Sequence, residues 1–209
     1  MRVRGDGFGV ALVMTVGLGL GCGKGESGGG GGGAVTAPAG PSAADEAALK
    51  TALDAANAKV PASLGGKLSF EIAKGEKGRH QAIQPKGWEA GVIPGRVKPP
   101  SGASLGFLTA FSTGSNCDGT CEKKDWAAIA DKVEFAQFAG GSFTVEKDEK
   151  GQGSRFLVAK GDGRVDLVYA VWKDDASRYY VCRATLDKEV LEAAPAFEAA
   201  CKGMLVSSW

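Results

Sequence analysis

Few residues in this chain could do chemistry, and the cysteines lead them. There are five, Cys22, Cys117, Cys121, Cys182 and Cys201, beside a single histidine, His80. Cys117 and Cys121 stand in Cys-Asp-Gly-Thr-Cys, close enough for a local disulfide, with Gly119 letting the chain turn tightly. The same pair could serve as a redox or metal site. Thioredoxin-like redox chemistry uses two intervening residues and a βαβ setting, whereas this pair has three and no such setting. Zinc wants four ligands, and a set of Cys117, Cys121, His80 and Asp118 would be unusual. His80 is the only side chain whose ordinary pKa lies near neutrality. In Gly78-Arg79-His80-Gln81 it reads as a solvated histidine on a polar loop edge. A Ser-His-Asp hydrolase would have to use it, but no Gly-x-Ser-x-Gly elbow occurs. Gly151-Gln152-Gly153 and Gly161-Asp162-Gly163-Arg164 lack the ending of a phosphate loop and read as turns. Asp162, Asp166, Asp174 and Asp175 do not have the alternation of a calcium loop. No catalytic residue, metal ligand or cofactor is therefore assigned. Trp88, Trp172, Tyr179, Tyr180 and Trp209 are aromatics that could line a ligand surface, with core packing as the plainer role.

What must position these residues begins with the distribution of charge and glycine. Lys and Arg number 25 against 24 Asp and Glu, with no block of like charge, so the electrostatic footprint of a nucleic-acid binder is missing. Of 33 glycines, 14 fall in residues 1–33, so the folded domain starts after them. Arg2 and Arg4 precede an uncharged, largely apolar run of 15 residues from Gly7 to Gly21. That is the length of a signal-peptide hydrophobic region and short of the roughly 18 residues of a membrane span. Gly21-Cys22-Gly23 and the tract Gly28 to Gly33 follow at once.

These first residues resemble the signal peptide of a bacterial lipoprotein, departing from it in Gly19 and Leu20, where the family has Leu and then a small residue. The resemblance implies cleavage before Cys22 and a diacylglyceryl thioether on its sulfur, so that the membrane is a partner through a lipid anchor. It also leaves an even four cysteines, which in an exported protein default to disulfides. The mature chain would carry 23 charges of each sign. By the same resemblance, Gly23 in place of Asp allows sorting to an outer membrane, facing the periplasm or the cell surface. Three regions are expected: a signal peptide at 1–21, the lipidated Cys22 with a Gly/Ser/Pro-rich tether to residue 42, and one domain over 43–209. The tether cannot bury enough apolar surface to fold, and its reach would be roughly 25 Å.

Within the domain, Ser42 is a plausible helix N-cap, and Leu49, Leu53, Ala56 and Val60 repeat at helical spacing until Pro61. Lys67 to Ile72 alternates, predicting a strand with Leu68, Phe70 and Ile72 on its buried face. Pro and Gly then punctuate a loop-rich stretch from Gly75 to Pro100. Leu105 to Phe111 is continuously apolar and reads as a strand covered on both faces. Trp126, Ile129 and Val133 mark a short helix. From Ser142 four short strands, joined by three polar turns, read as an antiparallel meander whose last two strands carry apolar residues at both parities. Val190, Ala194, Phe197, Cys201 and Met204 form one helical stripe, with Pro195 predicting a kink or the start of a second helix. Four cysteines allow three connectivities. Cys182 in the last meander strand and Cys201 on the returning helix can face one another, and a bond there would contribute about 3 kcal/mol.

The fold expected is α+β, an antiparallel sheet of about five to seven strands packed by N-terminal, middle and C-terminal helices in two or three layers. Its element order, with Gln84-Pro85-Lys86-Gly87-Trp88 ahead of the meander and a final strand and helix over Tyr179 to Leu205, resembles the Mog1/PsbP-like α/β/α sandwich. That fold hosts varied binding and scaffolding roles, so the resemblance implies architecture rather than activity. The expectation is a lipid-anchored envelope protein with a non-enzymatic binding or scaffolding domain for an envelope protein or small ligand. The competing expectation is a metal or redox protein, or an enzyme, using Cys117, Cys121 and His80.

Overall fold

Helix α1, Ala43–Ala58, starts where its capping chemistry puts it. Ser42 Oγ accepts from the Asp45 backbone N–H at 3.2 Å, and the Asp45 carboxylate accepts from the Ser42 N–H at 3.0 Å. The computed structural model describes residues 42–74, 80–117, 122–173 and 176–206. Cys22 and the leader, the tether up to residue 41, Cys121, the Asp174-Asp175 turn and Trp209 lie outside these residues.

Among the described residues ten strands follow, in two antiparallel sheets. β1 (Phe70–Lys74), β2 (His80–Pro85) and β10 (Leu205–Val206) form a small sheet with β2 in the middle. The large sheet takes the other seven: β3 (Glu89–Ala90), β4 (Arg96–Lys98), β5 (Ala110–Asn116), β6 (Thr144–Gly151), β7 (Ser154–Gly161), β8 (Arg164–Val171) and β9 (Tyr179–Leu186). Its order is β3-β4-β5-β9-β8-β7-β6, so β9, last of the meander, sits at the centre between β5 and β8. At the β7–β8 turn Asp162 and Gly163 both adopt left-handed φ, 52° and 73°, the twist a two-residue hairpin needs.

The two parities of the central strands feed two cores. Phe156, Val158, Leu167, Tyr180, Cys182 and Leu186 point to the layer of α1, the small sheet and α3 (Ala194–Lys202). Leu157, Ala159, Val168, Ala170 and Tyr179 point the other way, to α2 (Trp126–Ala130) and the turns that continue it. The result is an α+β sandwich. A 3-10 segment, Lys188–Ala193, leads into α3, and Pro195 occupies the first turn of that helix, where a missing N–H costs nothing. Phe197 is fully buried and packs against Phe70, Trp88 and Phe111, joining helix, small sheet and large sheet. The Cys182–Cys201 disulfide spans 19 residues with Cα atoms 5.3 Å apart and ties α3 to β9.

Several expectations need correction. Ile72 is 42% exposed rather than buried, because β1 is the outer strand of its narrow sheet. The stretch read as loop holds β2, β3 and β4. His80 accordingly sits on the middle strand of the small sheet, 2% exposed with its ring 5.4 Å from that of Tyr180, and is not a solvated loop residue. The apolar run from Leu105 does not form a doubly covered strand. Ser104 and Gly106 adopt left-handed φ, which breaks the extended chain, and Phe107 is 98% exposed while β5 begins only at Ala110. Val133 is exposed because α2 passes into a π turn, Asp131–Phe135, which carries Glu134 and Phe135 inward in its place.

Replacing both Cys182 and Cys201 by Ala should lower the unfolding free energy by about 3 kcal/mol or more, from loop entropy plus lost core packing. Urea unfolding followed by circular dichroism checks this, and a loss under about 1 kcal/mol would show that the bond does not staple the sandwich.

Candidate functional site

The α2 layer is short, and it covers only part of the sheet. Along this face β9 presents Tyr179, Val181, Arg183 and Thr185, apolar at the end beneath α2 and polar beyond it. Register then assembles a row across three strands, since Arg96 of β4 pairs with Ser112 of β5, and Ser112 with Arg183 of β9. All three therefore face the same side, with the two arginines two strand spacings apart, roughly 10 Å. A cleft of about 510 Å³ opens over this row, walled by Ile93 and Pro94 from the β3–β4 turn and by Val133 and Glu134 from the π turn. A second cavity of about 210 Å³ shares Arg96, Arg183 and Thr185 with it and extends to Arg164 and Asp166.

Gly95 fixes the rim. Its φ is +75°, and the Thr113 N–H donates to its carbonyl at 3.2 Å. A Cβ on Gly95 would lie 2.6 Å from the Thr113 carbonyl oxygen, so only glycine lets the turn approach β5 this closely. The floor beside it is set by Gly114, where a Cβ would meet nothing within 4 Å.

The charges in the cleft are ordered by one buried carboxylate. Glu134 is 3% exposed; its Oε1 accepts from Tyr179 Oη at 2.5 Å, and its Oε2 accepts from Arg183 Nη2. Asn116 Nδ2 donates to Tyr179 Oη at 3.0 Å. Burial first, then the hydrogen bond to Glu134 and that residue's charge, push the Tyr179 hydroxyl well above the ordinary tyrosine range. The π turn that delivers Glu134 is anchored by Arg155, which donates to Asp131 at 2.7 Å and Asp148 at 2.9 Å and stacks 4.4 Å from the Phe135 ring. Further along, Asp166 accepts from Arg164 Nε at 2.9 Å and from Thr185 Oγ1 at 2.7 Å. Both carboxylates are thus occupied by named donors, and Arg96 has no ion-pair partner among the described residues.

The residues singled out by sequence fare differently. Tyr179 and Tyr180 are consecutive in β9 and point into opposite cores, both fully buried, so they cannot line one surface with Trp88 and Trp172. Trp88 packs half-buried against Phe197, and Trp172 lies at the edge of the α2 core. Tyr179 does not line the cleft but stands behind its wall, its hydroxyl bonded to the lining residues Asn116 and Glu134. Cys182 and Cys201 are bonded as expected. Cys117, just past the end of β5, is also disulfide-bonded, while Cys121 lies outside the described residues. Among the described residues no three His, Cys, Asp or Glu side chains cluster as metal ligands. Arg96, Ser112, Glu134 and Arg183 were not singled out from sequence. The alternation Tyr179-x-Val181-x-Arg183-x-Thr185 was the available signal for Arg183.

No family model and no curated protein matches the chain. The crystal structure of the Saccharomyces cerevisiae Ran-binding protein Mog1p is similar at a TM-score of 0.44 and 9% identity, covering 66% of this chain and 96% of that one.

A hydroxyl whose folded pKa is raised stabilises the fold fully below the unfolded value near 10, and that contribution is lost as pH rises through the folded value. Tyr179→Phe removes the group, so the wild-type advantage over this variant should be constant below about pH 9 and shrink above about pH 10. Urea midpoints across that range measure it, and an advantage growing with pH would contradict the assignment.

Proposed function

We propose that this is a lipid-anchored protein of the bacterial cell envelope whose domain is a non-enzymatic binding module, taking its ligand in the cleft over β4, β5 and β9. The observation that carries the reading is the uncovered row Arg96–Ser112–Arg183, a set of polar donors on three paired strands beside a void. Ligand sites of this kind commonly enclose roughly 300–1,000 Å³. The acidic groups nearby, Glu134 and Asp166, are each held by two donors, an arrangement suited to orienting arginines rather than to exchanging protons.

Export is supported by the cysteines. A disulfide inside the main core and a second disulfide at Cys117 suit an oxidising compartment. Lipid on Cys22, with the tether behind it, would hold the domain within tens of ångströms of the membrane, outer membrane being the sorting expected from Gly23. The bonded state of Cys117 and the burial of His80 against Tyr180 favour structural roles over metal or redox chemistry for Cys117, Cys121 and His80.

Protein extracted from the envelope of its native host, examined by native mass spectrometry, tests the binding role. Wild type should carry a non-covalent adduct that Gly114→Val loses, since a side chain at this position starts from a Cβ in open space and rises from the cleft floor, and both should melt at the same temperature. A wild-type protein with no adduct, or an adduct that Gly114→Val retains, would overturn the reading. Separately, Cys22→Ser should abolish the incorporation of labelled fatty acid into the protein, and labelling that survives the substitution would contradict lipidation at Cys22.

A further inference from the structure

The charges that line the two cavities do not cancel, and the excess is placed. Three arginines, Arg96, Arg164 and Arg183, stand against the two carboxylates Glu134 and Asp166. Arg164 and Arg183 each hold one of those carboxylates, which leaves Arg96 as the lining arginine without an ion pair among the described residues, on the same cross-strand row as Ser112 and Arg183. A guanidinium offers five N–H donors in a planar fork that fits carboxylate and phosphate oxygens, and Arg183 spends one arm on Glu134 while its fork still borders the void. Ser112 lies between the two forks with a hydroxyl that can donate to the same group. Gly95, which can be nothing else without moving the turn, holds the backbone of Arg96 in register with β5.

The other half of the lining is apolar. Ile93, Pro94 and Val133 wall the larger cavity and Leu108 the smaller, and Ile93, Leu108 and Val133 are exposed large apolar side chains. Leu108 is held in place by Asp187, whose carboxylate accepts from its backbone N–H at 3.2 Å. Exposed apolar groups beside Arg96 suit a ligand that brings opposite charge at one end and apolar surface at the other.

We propose that the cleft is a site for an organic oxyanion, a carboxylate or phosphate carried on an apolar body, with the oxyanion between Arg96 and Ser112 and the apolar part against Ile93 and Val133. This rests on the reading of the cleft as the domain's binding site and names the ligand class it takes.

The test is an NMR titration of the intact mature protein with inorganic phosphate, hexanoate and hexyl phosphate as probes. Hexanoate and hexyl phosphate should each give saturable shifts at the Arg96 side-chain N–H and the Ser112 amide, extending to the Ile93 and Val133 methyls. Arg96→Gln, on an exposed strand position, should keep its thermal transition and weaken both by about tenfold or more, the effect of removing a charged hydrogen-bond donor. Gly114→Val should abolish them. Saturation by hexanoate alone or hexyl phosphate alone identifies the oxyanion and supports the site. Shifts with inorganic phosphate only, shifts that Arg96→Gln leaves intact, or no saturable shift with any probe would overturn it. In that last case, an envelope-derived adduct that Gly114→Val still loses would keep the binding reading and reject only the oxyanion class.

Discussion

The bond between Cys182 and Cys201 fixes the one relation that the rest of the sandwich needs, the seat of α3 on the centre of the large sheet. β9 is hydrogen-bonded to β5 on one side and β8 on the other, so tethering α3 to β9 sets the helix against the middle of seven strands. Phe197, one turn before Cys201, then reaches Phe70, Trp88 and Phe111 and carries the order outward to the small sheet. Asn57 closes the circuit: its side chain bonds both backbone polar groups of Phe70, at 2.8 and 3.2 Å, joining α1 to β1. This face is complete, and it leaves the opposite face free to be incomplete.

Incompleteness on that face has a specific cause. α2 is five residues long and ends in a π turn and a 3-10 turn, enough to cover Leu157, Val168 and Tyr179 but not the β4–β5–β9 side. The π turn also exchanges an apolar side chain for a carboxylate, since Val133 swings out and Glu134 swings in. A buried carboxylate is costly unless donors surround it, and Tyr179 and Arg183 supply them. The arrangement fixes the Arg183 fork at the cleft edge. Removing Glu134 alone would free the arginine, and removing Arg183 alone would leave a buried charge.

Much of the scaffold was legible in the sequence because local chemistry and tertiary demand agree there. Ser42 and Asp45 are neighbours, so their capping box needs nothing from the rest of the fold. The four meander strands announce themselves by their turns, and the double parity of β8 and β9 reports two covered faces. Pro195 and the cysteine stripe likewise foretold α3 and its bond. Where the reading failed, a distant contact decided. His80 is buried because β10 arrives from the C-terminus to flank β2, which no local pattern near His80 reveals. The strand placed at Leu105 to Phe111 starts later, because left-handed residues at Ser104 and Gly106 interrupt it. The cleft was the least legible part. Its row of Arg96, Ser112 and Arg183 exists only through the register of three strands drawn from separate regions of the chain, and Glu134 enters it through a π turn without a sequence signature.

The most direct test of an exported, stapled and anchored binding domain is peptide mass spectrometry, without reduction, of the protein from membranes of its native host. The expected result is a diacylglyceryl-modified Cys22 at the mature terminus, a cross-linked peptide joining Cys182 to Cys201, and no free thiol at Cys117 or Cys121. An intact leader with an unmodified Cys22, or reduced or metal-bearing Cys117 and Cys121, would contradict it and return attention to those two cysteines as the seat of function.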